Sequence, residues 1–145
     1  FQALIAMGVF GQNVSITHNI QNTFINRWAT LRKVKNHNIF LKGIEEMYLP
    51  IRHGEGRLVF NTSISLYENP DFQVSTQYTE DVNGSAEKIA GLVSSSGRVF
   101  GLMPHPEAAI RKTQNPQWTM NSENCDEDEI GLQFFKNAYE EVQCL

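Results

Sequence analysis

The stretch "KIAGLVSSSGRVFGLMPHPE", residues 88–107, constrains this chain more than any other. Two apolar runs, "KIAGLVSS" and "RVFGLM", flank a Ser-Gly turn, which reads as two adjacent buried strands joined tightly. The second run, over 99–103, is expected as a central strand. At its C-terminal end a histidine stands between two prolines, with a glutamate two residues on. Ligands and catalytic groups gather at that end of the strands in open α/β sheets. Pro104 and Pro106 fix their own φ angles, and Pro106 biases His105 toward an extended backbone. Residues two apart in an extended segment point the same way. His105 and Glu107 are therefore expected side by side, the carboxylate accepting from one imidazole nitrogen and leaving the other as a base. That is the base-and-orienter half of a nucleophilic triad. On the residues alone, a surface His beside a surface Glu in a proline-rich loop stands open as the alternative.

A triad needs a nucleophile, and none of the residues in the chain fits. There is no GxSxG or GxCxG elbow. Cys125 lies in "SENCDEDE", where neighbouring carboxylates disfavour a thiolate. Cys144 follows the end of a helix, where the dipole opposes negative charge. The serines of "SSSG" fill a turn.

The remaining sequence reads as strands closed by a helix. "FQALIAMGVFG" places Phe1, Leu4 and Ile5 at helical spacing, predicting a buried amphipathic helix of two or three turns without an N-cap residue. "NVSITHN" and "DFQVSTQYTE" are strand-like, and "DVNGS" is a turn. "TFINRWATLRKV" alternates, but each face mixes apolar and polar groups, so its buried side stays open. "EMYLPI" leads into "HGEG", residues 53–56, whose glycines suggest backbone turns and a loop lining a site. "DEDEIGLQFFKNAYEEVQ" is a helix with Ile130, Phe134 and Ala138 on one side and acidic residues in its first turn. No internal repeat or linker interrupts this pattern, which reads over 1–145 as one α/β layer structure or most of one.

Composition narrows the function classes. Lys and Arg number 12 against 16 Asp and Glu, a net charge of −4 and a pI near 5.5, which gives no general attraction to nucleic acid or anionic membranes. No apolar run approaches the ~20 residues that span a bilayer. Two cysteines make no disulfide framework and no CxxC pair, which suits a reduced, cytoplasmic setting. The triplets at Asn13, Asn61 and Asn83 match the N-glycosylation pattern, a short motif that arises by chance.

Taken together, "FQAL", "HNIQNTFINRW", "LPIRHGEG", "NGSAEKIAGLVSSSGRVFGLMPHPE" and "GLQFFKNA" resemble the class I glutamine amidotransferases. More narrowly, they resemble the glutaminase domain of phosphoribosylformylglycinamidine synthase. Members of that family carry a Gly-x-Cys-Asn-Gly-Phe-Gln-Ala-Leu elbow, which places the cysteine three residues ahead of Phe1. The resemblance implies a flavodoxin-like α/β fold whose N-terminal part, with the nucleophile, is absent. It implies that His105 activates the cysteine and protonates departing ammonia, that Glu107 orients His105, and that Gln2 contacts the substrate glutamine. It assigns "HGEG" to the family signature, making His53 and Glu55 candidates for substrate binding without a chemical step. It implies no cofactor or metal in this domain, since ATP and magnesium would belong to the synthetase subunit or domain that receives the ammonia and amidates formylglycinamide ribonucleotide. This polypeptide alone is expected not to hydrolyse glutamine. Ala108 departs from the arginine common after His-Pro-Glu in the family, and the segment 111–129 carries no readable role. Arg27 and Trp28 follow the family pattern but read as surface charge and packing.

Two other classes remain. His53-x-Glu55 and His105-x-Glu107 offer the donors of a metal-dependent hydrolase, although the PCxxC of zinc deaminases is missing. An amidotransferase-like domain kept for assembly, without catalysis, is the second. "RWATLRKVK" lacks the aromatic stacking motif that RNA binding would need.

Overall fold

The computed structural model describes residues 1–61, 65–120 and 129–143. The first helix, α1 (Gln2–Ala6), is followed by strands β1 (Val14–His18), β2 (Ile25–Lys33), β3 (Glu46–His53), β4 (Glu55–Phe60), β5 (Phe72–Tyr78), β6 (Ile89–Ser94) and β7 (Phe100–Leu102), and helix α2 (Ile130–Gln143) closes the order. β1 and β4 form a two-stranded sheet, and the rest form a five-stranded sheet in the order β3-β2-β5-β6-β7. Every pairing among the described residues is antiparallel. The α/β class expected from the sequence holds, built here around a curled antiparallel sheet.

Both faces of the large sheet are covered, which explains why β6 is buried on consecutive residues rather than alternate ones. On one face Ala29, Leu31, Met47, Leu49, Ile51 and Ala90 pack with Phe134 of α2. On the other, Phe72, Val74, Ile89 and Leu92 pack with Val14 and Leu58 of the small sheet, and Phe1, Leu4 and Ile5 join them. Leu31, Leu49 and Ile51 are wholly buried, each contributing about 1.5–3 kcal/mol of transfer free energy. The buried side of β2, open in the sequence, is thus the face of Ala29 and Leu31. Trp28 packs at the margin of that core with its ring tilted against Tyr48, centroids 5.2 Å apart, while Arg27 pairs with Glu80 at the surface, N to O 2.9 Å.

Three expectations need correcting. β7 is an edge strand of three residues, not a central one, because no further strand pairs beyond it among the described residues. α1 is five residues long and has no fully buried side chain, since Gly8 turns the chain in the left-handed region at φ 74°. The buried side of α2 is Gly131, Phe134 and Asn137, with Ile130 and Ala138 only half-buried. A polar residue enters that face because Asn137 is satisfied in full. Its amide nitrogen donates to the carbonyls of Phe40 and Lys42, 2.8 Å each, and its oxygen accepts from Gln133 at 2.8 Å. The acidic run 126–128, both cysteines and part of the Asn61 triplet lie outside the described residues.

Candidate active site

β7 delivers the chain to the site. Beyond Leu102 the Met103 amide still donates to Ala90 of β6, and buried Pro104 then turns the chain away from the sheet. The His105 amide donates to the Pro50 carbonyl of β3 at 2.9 Å. β3 and β7 are the two opposite edges of the sheet, so this bond closes the curl and anchors the loop. A proline suits that position, because an edge strand can present a carbonyl there without an amide to pair.

His105 has φ −108° and ψ 87°, outside the helical region that a following proline disfavours. Its Nδ1 lies 2.6 Å from Oε1 of Glu107. The two side chains meet as expected, but for a different local reason. Pro106–Ala108 is a single 3-10 turn with His105 at its N-cap, and the Ala108 amide bonds back to the His105 carbonyl at 3.1 Å. The turn brings Glu107 back under the imidazole; strand alternation does not. With Nδ1 engaged by the carboxylate, Nε2 is the nitrogen left to exchange a proton. The side chains are 40% and 61% exposed, so the pair is open to a reacting group.

The pair borders a cavity of ≈ 380 Å³, within the ordinary range for small-molecule sites. Phe100, Leu102 and Pro104 line it from the sheet side, Phe134, Phe135 and Ala138 from α2, and Phe1 and Leu4 from the start of the chain. Gly101 makes this approach possible, because a Cβ there would overlap the Phe1 ring. α2 is held equally close: the Gly131 amide donates to the Ala109 carbonyl at 2.9 Å, and a Cβ on Gly131 would overlap the Pro106 carbonyl oxygen. A larger hollow of ≈ 520 Å³, lined by Lys33, His37, Lys42 and Glu140, lies by the last turns of α2 and contains neither His105 nor Glu107. The smaller cavity is the one bordered by His105 and Glu107, the only His–Glu pair on a proline-locked loop among the described residues.

The other sequence candidates separate. His53 is buried at the end of β3, and its Nδ1 is 2.9 Å from Oδ1 of Asn19. Burial pushes its pKa below the ordinary 6.5, and the charge of His105 acts in the same direction. Glu55 is exposed and faces His18 across the small sheet, Oε1 to Nδ1 3.4 Å. Gln2 is exposed on α1 and is not among the residues lining the cavity. The two His-x-Glu motifs therefore do not pool their donors, and no three His, Cys, Asp or Glu side chains among the described residues are arranged as a metal site. The glycines of "HGEG" have no left-handed φ. Gly56 is instead a point of close approach, since a Cβ there would overlap the His53 imidazole. Sequence reasoning gave no role to Asn19, Gly131 or Asn137, although all three fall inside the quoted motifs "HNIQNTFINRW" and "GLQFFKNA"; a buried Asn is legible only once its partners are placed.

The CobB/CobQ-like glutamine amidotransferase domain matches over residues 1–141. The phosphoribosylformylglycinamidine synthase subunit PurQ of Dehalococcoides mccartyi is 36% identical over 95% of this chain and 59% of its own length. The subunit of the same name from Thermotoga maritima is 41% identical over 77% of this chain and 49% of its own length. Among solved structures, PurLQS from Thermotoga maritima superposes with a TM-score of 0.74 and 31% identity, covering 97% of this chain and 57% of that one. The chain thus spans about half to three-fifths of the length of the curated relatives it matches. A putative GMP synthase subunit from Thermoplasma acidophilum shares the fold alone, with a TM-score of 0.53 at 15% identity. Among the described residues, no helix is long and apolar enough to cross a membrane.

Proposed function

Since the chain belongs to the CobB/CobQ-like glutamine amidotransferase family, we propose that it carries the acid–base half of a glutaminase site, with His105 as the base and Glu107 as its orienter. The observation that carries this reading is the 2.6 Å contact between His105 Nδ1 and Glu107 at the rim of the cavity that Phe1 and Leu4 also line. The family's elbow cysteine precedes a phenylalanine at the position of Phe1, so its place in the motif is next to that cavity.

In the proposed reaction a cysteine thiolate attacks the side-chain carbonyl carbon of glutamine. His105 Nε2 takes up the thiol proton and gives it to the nitrogen as the C–N bond breaks, releasing ammonia and leaving a thioester. His105 then accepts a proton from the water that attacks the thioester carbon, and returns it to the sulfur as the C–S bond breaks, releasing glutamate and restoring the thiol and the neutral imidazole. Glu107 accepts from Nδ1–H throughout and stabilises the imidazolium that forms at each transfer. The ammonia passes to a synthetase subunit or domain for the ATP-dependent amidation of formylglycinamide ribonucleotide in purine biosynthesis, which the names of the matched subunits support. Residues 1–145 are proposed as the C-terminal part of one glutaminase domain, working in the cytoplasm. Gln2, His53 and Glu55 remain proposals for substrate binding, with Gln2 and Glu55 reached from the exposed surface.

Joined to the family's elbow segment ahead of Phe1, the chain is expected to release ammonia from glutamine, and His105→Ala to lower that rate about 10²–10⁴-fold. Residues 1–145 alone are expected to stay at 16.5 kDa after exposure to an electrophilic glutamine analogue. Specific labelling of Cys125 or Cys144 would overturn the site assignment. An elbow-bearing chain that binds glutamine without hydrolysing it would favour a non-catalytic assembly module.

A further inference from the structure

Gly101 is the buried middle residue of β7. It is not among the glycines with a left-handed φ, so the backbone there does not itself call for glycine. The contact does. A Cβ at this position would overlap the Phe1 ring and press on the Phe10 ring at 3.0 Å. The two rings meet edge to face with centroids 5.6 Å apart, and Phe10 is wholly buried. Phe1 is thus held between the core and the bare backbone of β7.

Phe1 is also where α1 begins. Its carbonyl accepts from the amides of Leu4 and Ile5, at 3.0 and 3.3 Å, and no side chain caps that end. The start of the helix is therefore located by the seat of the ring on Gly101. On the other side of the contact, Gly101 stands four residues before His105. The chain between them is pinned by the Met103 amide on Ala90, by buried Pro104 and by the His105 amide on Pro50. Phe1, Gly101 and His105 all line the same cavity.

We propose that Gly101 is a positioning residue for the reaction. By admitting the Phe1 ring onto β7, it sets the register between the start of α1, to which the nucleophile's elbow is joined, and His105. The purpose of the contact rests on the glutaminase reading; the contact itself does not. The place of the elbow cysteine is three residues ahead of Phe1, and three residues of chain span at most about 11 Å. A shift of Phe1 is therefore carried to the sulfur with little chain to absorb it. Misplacing reacting groups by about 1 Å costs on the order of 10²-fold in rate.

The test is a double-mutant cycle of Gly101→Ala and Phe1→Ala in an elbow-bearing chain, read by steady-state ammonia release. Gly101→Ala should lower kcat about 10–100-fold with KM little changed. Phe1→Ala creates no overlap but removes the anchor, and should also lower kcat. The double variant should be no slower than the slower single one, because both changes break one contact. Effects that multiply would overturn the proposal, as would an unchanged kcat in Phe1→Ala, which decides the matter if Gly101→Ala fails to fold. A rise in KM alone in Gly101→Ala would also overturn it, since the glycine would then shape the cavity and not the register. An active parent with an equally fast Gly101→Ala variant would sink this proposal and spare the glutaminase reading. A parent that releases no ammonia would sink both, while NMR cross-peaks between the Phe1 ring and the Gly101 α-protons in the 145-residue chain would still report the contact.

Discussion

The amide of His105 donates to the carbonyl of Pro50 across 2.9 Å, joining the loop after one edge strand to the opposite edge strand of the same sheet. That bond ties the loop beyond one edge of the five-stranded sheet to the strand at its other edge. It also docks the His-Pro-Glu turn on β3 at Pro50. The His-Pro-Glu loop is therefore positioned by its bond to β3 and by α2 behind it.

Glu107→Gln should leave the turn intact while replacing the charged acceptor of His105 Nδ1 with a neutral amide. In an elbow-bearing chain the expected effect is a fall in kcat of about 10²-fold with little change in KM. Steady-state ammonia release measures both. A rise in KM with kcat preserved would mean that Glu107 binds substrate and does not orient the base.

Gly131→Ala should push α2 away from the Pro106 carbonyl, because both neighbours at the contact are backbone and cannot rotate aside. The expected cost is about 1–3 kcal/mol in urea denaturation. The His105 and Glu107 resonances should shift with it, although position 131 is far from them in sequence. A neutral substitution would show that the contact is looser than described.

Asn137→Ala should leave the Phe40 and Lys42 carbonyls without their donor and free Gln133. The expected loss is about 1–3 kcal/mol, again read from denaturation. Asn137→Asp should be worse, since a carboxylate cannot donate to either carbonyl.

Stability should depend on pH through His53. Its folded-state pKa lies below the ordinary 6.5, so beneath that value the unfolded chain binds the proton first. The contribution is thus complete above about pH 6.5 and is lost as pH falls toward the folded-state value. Urea midpoints at mildly acidic and neutral pH should differ in that direction, and His53→Gln should flatten the difference. An unchanged slope would place the titration in another group.

By itself the sequence determined most of the strands and the closing helix, through local periodicity, and placed His105 beside Glu107, but it showed neither β4 nor the turn that brings the pair together. It also carried the family, through several ordered motifs spread over most of the chain. What it left open was decided by contacts distant along the chain. The faces of β2 depend on which side α2 covers. β7 lies at an edge because nothing pairs beyond it among the described residues, a fact no local pattern encodes. Glu107 meets His105 through a 3-10 turn that docks on β3, and Gly56 exists to admit a ring rather than to bend a backbone. The burial of Asn19, His53 and Asn137 followed only from partners supplied by other elements. A polar side chain becomes a core residue only when tertiary structure provides the hydrogen bonds that replace water.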